Sequence, residues 1–112
     1  MAFKLAISNT VTVPVEGHIP DAAGRKAPFS FRLICRRLPA DELRSAIDTS
    51  DATVPEFLGS VVTGWEGVQG DDGHDLTFTG EALRELLNIV GMAGVCFGAY
   101  LAACGARGKE KN

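Results

Sequence analysis

Along the first third of the chain apolar and polar side chains alternate. Val11, Val13 and Val15 are separated by Thr12 and Pro14, and Phe29, Phe31, Leu33 and Cys35 by Ser30, Arg32 and Ile34. A period of two places one set of side chains on one face of an extended backbone, so both runs are expected to be half-buried β-strands. The stretch between them, "GHIPDAAGRKAP", is rich in Gly, Pro and Asp and reads as a long exposed loop closing an antiparallel hairpin. Pro14 has no amide proton, which assigns the first strand to a sheet edge or a bulge. Phe3, Leu5 and Ile7 show the same alternation and offer an extension of the sheet.

From Pro39 the period becomes helical. In "PADELRSAID" the proline suits a first turn, Asp41 and Glu42 favour a helix N-terminus, and Leu43, Ala46 and Ile47 fall on one face. "TVPEFLGSVVTGW" repeats the pattern, with Thr53 as cap, Pro55 in the first turn and a stripe of Val54, Phe57, Leu58, Val61 and Val62 that Gly64 ends. A third helix follows Thr79 through "EALRELLNIV", with Ala82, Leu83, Leu86, Leu87 and Val90 inward and Glu81, Arg84 and Glu85 outward. The expectation is an α+β protein: an N-terminal antiparallel hairpin or small sheet over residues 3–37, about four short helices over 39–106, and a basic tail at 107–112.

Between the second and third helices lies "TGWEGVQGDDGHDLTF", where Asp71, Asp72, His74 and Asp75 crowd together after the only tryptophan. These residues carry metal-binding donors, but no EF-hand frame of alternating oxygen ligands with a closing glutamate fits them. His74 and Asp75 have no serine or cysteine nucleophile beside them in any recognisable motif. Asp72-Gly73, in contrast, is a preferred dipeptide of tight reversing turns. The segment is therefore expected to be a small hairpin or Ω-loop, its ends held by Trp65 and Phe78. His18, alone in a polar stretch, reads as solvated. No cofactor or metal is expected, and no enzyme, since no nucleophile, base and orienting group can be nominated together.

Composition sets limits on the rest. With 112 residues, 46% of them hydrophobic and 22% charged, the chain suits a single folded domain. Cys35, Cys96 and Cys104 are odd in number and show no C-x-x-C spacing, so they read as buried, reduced thiols. The start "MAFKLAISNTVTVPV" lacks the uninterrupted apolar run of a signal peptide, and export is not expected. The net charge of −3 is unevenly spread: residues 1–38 carry +4, residues 39–85 carry −9 and residues 107–112 carry +2. That asymmetry favours electrostatic complementarity between copies or a basic partner on the acidic part, and provides no broad basic face for nucleic acid. Arg32, Arg36 and Arg37 read as a solvated strand face pairing with acidic helices.

Residues 86–106, "LLNIVGMAGVCFGAYLAACGA", contain no charge over 21 positions, enough to cross a bilayer. Gly94, Gly98 and Ala102 form a small-residue ridge at spacings of four. Gly91 breaks the run, and its second half is mostly Ala, Gly and Cys, with weak insertion drive. The reading favoured is a closely packed last helix, able to meet another copy, over a membrane span.

Taken in order, these segments resemble the tail assembly chaperones of long-tailed bacteriophages over about Val11 to Asn112. The resemblance rests on the "VTVPVEGHIP" strand, "FSFRLICRRL" passing into "ADEL", "VVTGWEGV", "DDGHDLTFTGEALRELL", and a tyrosine-containing helix ending in "ARGKEKN". It implies a non-enzymatic cytoplasmic factor that coats the tape-measure protein, recruits tail-tube subunits, self-associates along its client, and is absent from the finished virion. Trp65, Phe78, Gly94, Gly98, Tyr100 and Ala102 become the candidate partner-binding residues. A structural tail or connector subunit is the competing reading, and presence in purified particles separates the two.

Overall fold

The alternating pattern folds into a long two-stranded ribbon. In the computed structural model, which describes residues 2–5, 7–48, 53–106 and 108, β1 (Thr10–Pro20) pairs antiparallel with β2 (Lys26–Arg36), from Thr10 opposite Arg36 to Pro20 opposite Lys26. Val13, Val15, Phe31, Leu33 and Cys35 are all buried on one face. Thr12, Glu16, His18, Lys26, Ser30 and Arg32 are exposed on the other.

The expected long loop is mostly strand, and only residues 21–25 connect the two. The prolines explain why the ribbon tolerates its composition. At its two ends the Arg37 amide donates to the Asn9 carbonyl (2.7 Å) and the Asp21 amide to the Arg25 carbonyl (2.8 Å), so odd-numbered residues of β1 bond to β2. Pro14 and Pro20 lie at even positions, where the missing amide faces the open edge. Pro28, opposite His18, would face β3 (Val62–Glu66), but pairing with that strand begins only at Arg32. No ladder bond is lost at any of the three.

A helix over residues 53–64 was expected where the chain instead makes α2 (Val54–Val61) and then β3. The caps are as read from the sequence: Thr53 Oγ1 accepts from the Glu56 amide at 3.3 Å, with Pro55 in the first turn. Val62, extended at φ −78° and ψ 125°, ends the helix. β3 then joins the far side of β2, giving a sheet ordered β1-β2-β3 among the described residues. Trp65 pairs with Leu33 and Gly64 with Ile34, and Thr63 is the extra residue of a bulge, its hydroxyl donating to the Ile34 carbonyl at 3.2 Å. Tertiary pairing overrides the local helical pattern here. The sheet extension through Phe3, Leu5 and Ile7 is not formed, and the described residues before Thr10 include no strand.

α1 (Ala40–Asp48) begins after Pro39, and Leu43 and Ala46 pack on the core while Ile47 stays exposed. α3 (Gly80–Leu87) is capped by Thr79, whose Oγ1 accepts from the Ala82 amide at 3.0 Å. It stops short of Val90, which was expected inside but is fully exposed at 100%. Gly91, at φ +84°, turns the chain into α4 (Met92–Cys104). A left-handed residue there is a position for which only glycine escapes a steric cost. α3 and α4 meet at a 107° bend, and no single helix among the described residues is long and apolar enough to cross a membrane.

The buried residues form one cluster built from β1, β2, β3, α2, α3 and α4. α4 packs across β1 and against α2, where the Phe57 ring meets Phe97 (5.6 Å) and Tyr100 (5.7 Å) edge-on. No charged side chain is buried in this core among the described residues.

Candidate interaction surfaces

The acidic segment is a turn, and its chemistry is used to build backbone. Gln69 and Asp75 bridge, the Gly70 amide donates to the His74 carbonyl (3.0 Å), and the Gly73 amide donates to the Gly70 carbonyl (3.0 Å). Asp72 Oδ1 accepts from the His74 amide at 3.0 Å. Gly73, at φ +77°, supplies the left-handed third residue of the loop Asp71-Asp72-Gly73. That makes it a three-residue hairpin loop, one residue longer than a bare Asp-Gly turn. The β1–β2 connection uses the same device: Asp21 Oδ1 accepts from the Ala23 and Arg25 amides at 2.8 and 2.9 Å, and Gly24 sits at φ +78°. Among the described residues no group of three or more His, Cys, Asp or Glu side chains is arranged to hold a metal ion.

Trp65 and Phe78 hold the ends of this hairpin. Their rings stand edge-on at 5.1 Å and 88°, and the Trp65 Nε1–H donates to the Leu76 carbonyl at 2.8 Å. Both are half-buried against the core. Phe78 also reaches an open groove of about 550 Å³ between α2 and α3. Val62, Phe78, Leu83 and Leu87 provide its apolar floor. Glu56 and Arg84 stand on opposite rims, and among the described residues no ion pair joins them. Gly59, exposed in the middle of α2, lines the groove and would carry a Cβ into empty space.

α4 is apolar all round, so burying one face leaves another uncovered. Met92, Cys96 and Tyr100 point inward, while Gly94, Val95, Gly98, Leu101 and Ala102 are exposed on the outer side. A Cβ added at Gly94 or Gly98 would meet no atom within 4 Å among the described residues, so no contact there requires glycine. Tyr100 sits in the core with no exposed surface, and its hydroxyl donates to the Arg36 carbonyl at 2.8 Å. Burial, with the nearby Cys104 thiol, pushes its phenol up to about 12. Burial likewise pushes Cys35 up to about 12 and Cys96 to about 11. All three cysteines are free, and Cys104 is only half-buried.

The expected solvated arginine face is partly used. Arg32 Nη2 meets Glu66 Oε2 at 2.8 Å across the strands, an exposed pair. Arg36 donates from Nε and Nη2 to the Ser60 carbonyl at 3.3 and 3.0 Å, satisfying the end of α2.

The structure therefore joins Trp65 to Phe78, places Gly94, Gly98 and Ala102 together on the outer face of α4, and puts Tyr100 inside. The groove escaped the sequence reading because its two walls come from separate helices. Gly59, an interior helix glycine with nothing within 4 Å of an added Cβ among the described residues, was its visible trace. No family model, curated protein or solved structure matches the chain.

Proposed function

We propose that the chain is a tail assembly chaperone of a long-tailed bacteriophage, a non-enzymatic factor of the host cytoplasm. It shields the apolar helices of a tape-measure protein, engages tail-tube subunits, and leaves before the virion is complete. The observation that carries this reading is the outer face of α4: Gly94, Val95, Gly98, Leu101 and Ala102 are exposed with no charge among them. A long client helix with an apolar stripe needs a surface of this kind, and small residues let a second backbone approach closely. Each such contact is weak, and repetition along a long client supplies the strength. The tape-measure protein is proposed as that client on the resemblance carried by the order of the segments from Val11 to Asn112.

Co-expression of the tagged chain with the tape-measure and tail-tube proteins encoded beside it tests the reading. Affinity purification is expected to recover the tape-measure protein, and Val95→Asp with Leu101→Asp, both at exposed positions, to abolish recovery without unfolding the chain. A folded wild-type chain that recovers neither protein, or that is found in purified particles, counts against it.

A further inference from the structure

A cleft of about 470 Å³ opens between the 69–75 hairpin and α3. Its walls are apolar: Trp65, Val68 and Leu76 on the hairpin side, and Ala82, Leu86 and Ile89 from α3 and the turn that follows it. Leu76 and Ile89 are 39% and 38% exposed, so apolar surface is left open to solvent there. The Trp65 Nε1–H is already given to the Leu76 carbonyl at 2.8 Å, which leaves the indole only its apolar ring to offer a ligand. The charged side chains that line the cleft are Asp71 and Glu85, both acidic and both exposed. Among the described residues neither is joined in an ion pair. An ionised carboxylate accepts hydrogen bonds and donates none, so the occupant brings the positive charge and its donors. Both carboxylates belong to residues 39–85, whose charge of −9 adds a field of the same sign.

We infer that this cleft docks a basic, apolar-flanked segment of another protein, its aliphatic groups against Trp65, Leu76 and Ile89 and its cations at Asp71 and Glu85. Each half of the cleft excludes a simpler occupant. A purely apolar segment would cover the walls and desolvate two carboxylates without pairing them. A small free cation would pair the carboxylates and leave the walls wet. Lysine and arginine side chains meet both demands, because their stems lie along apolar surface while the charged head stays at the rim. The cleft therefore takes a different chemistry from the uncharged outer face of α4. The contact is small and its ion pairs are exposed, which places its Kd on the order of 100 µM. The inference stands on this cleft and not on the chaperone reading.

Titration of the full chain, labelled with nitrogen-15, by a synthetic peptide of alternating leucine and lysine with blocked ends tests it. Trp65 is the only tryptophan, so its indole N–H gives a single signal that reports from inside the cleft. That signal and the amides of Val68, Asp71, Leu86 and Ile89 are expected to shift saturably together. Asp71→Asn with Glu85→Gln is expected to weaken binding about five-fold, as the loss of two exposed ion pairs requires, and Ile89→Ser by a similar factor. All three positions are exposed, so the fold is kept. Asp41→Asn with Glu42→Gln removes the same charge from α1, which lines no part of the cleft, and is expected to leave binding within about two-fold of wild type. Peptides with serine in place of leucine, or glutamate in place of lysine, are expected to bind at least about ten-fold more weakly. Absence of saturable shifts, equal binding of the serine or glutamate peptide, or equal weakening by the α1 variant overturns the inference. Shifts of the same signals that follow protein concentration without peptide assign the cleft to a second copy and also overturn it. A chain that fails this titration and still recovers the tape-measure protein on co-expression leaves the proposed function standing.

Discussion

Tyr100 shows what a single buried polar group does in this core. Its ring packs edge-on against Phe57, and its hydroxyl satisfies the Arg36 carbonyl at a point where β3 no longer runs beside β2. That bond ties the C-terminal half of α4 to the end of the central strand, across 64 positions of sequence. Tyr100→Phe keeps the ring and leaves a backbone acceptor unpaired, which costs about 1–3 kcal/mol. Urea unfolding is expected to show a lowered midpoint with an unchanged slope, because the surface exposed on unfolding is the same. A midpoint identical to wild type would mean that water replaces the hydroxyl.

The elements divide by how local their causes are. The caps at Thr53 and Thr79, the break at Gly91 and the turn at Gly73 depend on residues within a few positions, and the sequence shows each of them. β3 was not legible: Val62 and Trp65 continue the helical spacing of Leu58 and Val61, and what makes Val62–Glu66 a strand is pairing with Leu33, Ile34 and Cys35, some thirty residues away. The length of the ribbon was hidden for a related reason. Pro20 and Pro28 look like loop residues until the register shows that the missing amide of each faces no strand. The small-residue side of α4 was visible as a pattern, and its exposure was not, because exposure depends on which face the sheet claims. The hairpin at 69–75 is tied to the rest through Trp65. Trp65→Ala removes both the edge-on contact with Phe78 and the donor to Leu76, and is expected to cost about 3 kcal/mol, the low end for a large aromatic since Trp65 is half-buried. Amide hydrogen exchange is expected to accelerate at Gly70, Gly73 and Leu76 beyond this global loss. Uniform acceleration across the sheet would show that the hairpin unfolds only with the whole molecule.

For the whole molecule, a core without buried charge ties stability to groups that must stay neutral. Cys35 from β2 and Cys96 and Tyr100 from α4 are all fully buried, and in the folded state each holds its proton well above its ordinary value of 9.0 for the thiols and 10.0 for the phenol. A folded-state pKa raised above the unfolded one means that the folded state binds more protons between the two values. The stabilising contribution is complete below about pH 9, and it is lost as pH rises from 9.0 towards about 12 for Cys35, towards about 11 for Cys96, and from 10.0 towards about 12 for Tyr100. Thermal unfolding is therefore expected to shift steadily to lower temperature above pH 9. Cys35→Ala separates titration from packing: the cavity lowers stability at pH 7, while the decline between pH 9 and about 12 becomes shallower because one proton fewer is released on unfolding. An alkaline decline as steep in Cys35→Ala as in wild type would remove Cys35 from the linkage and leave it to Cys96 and Tyr100.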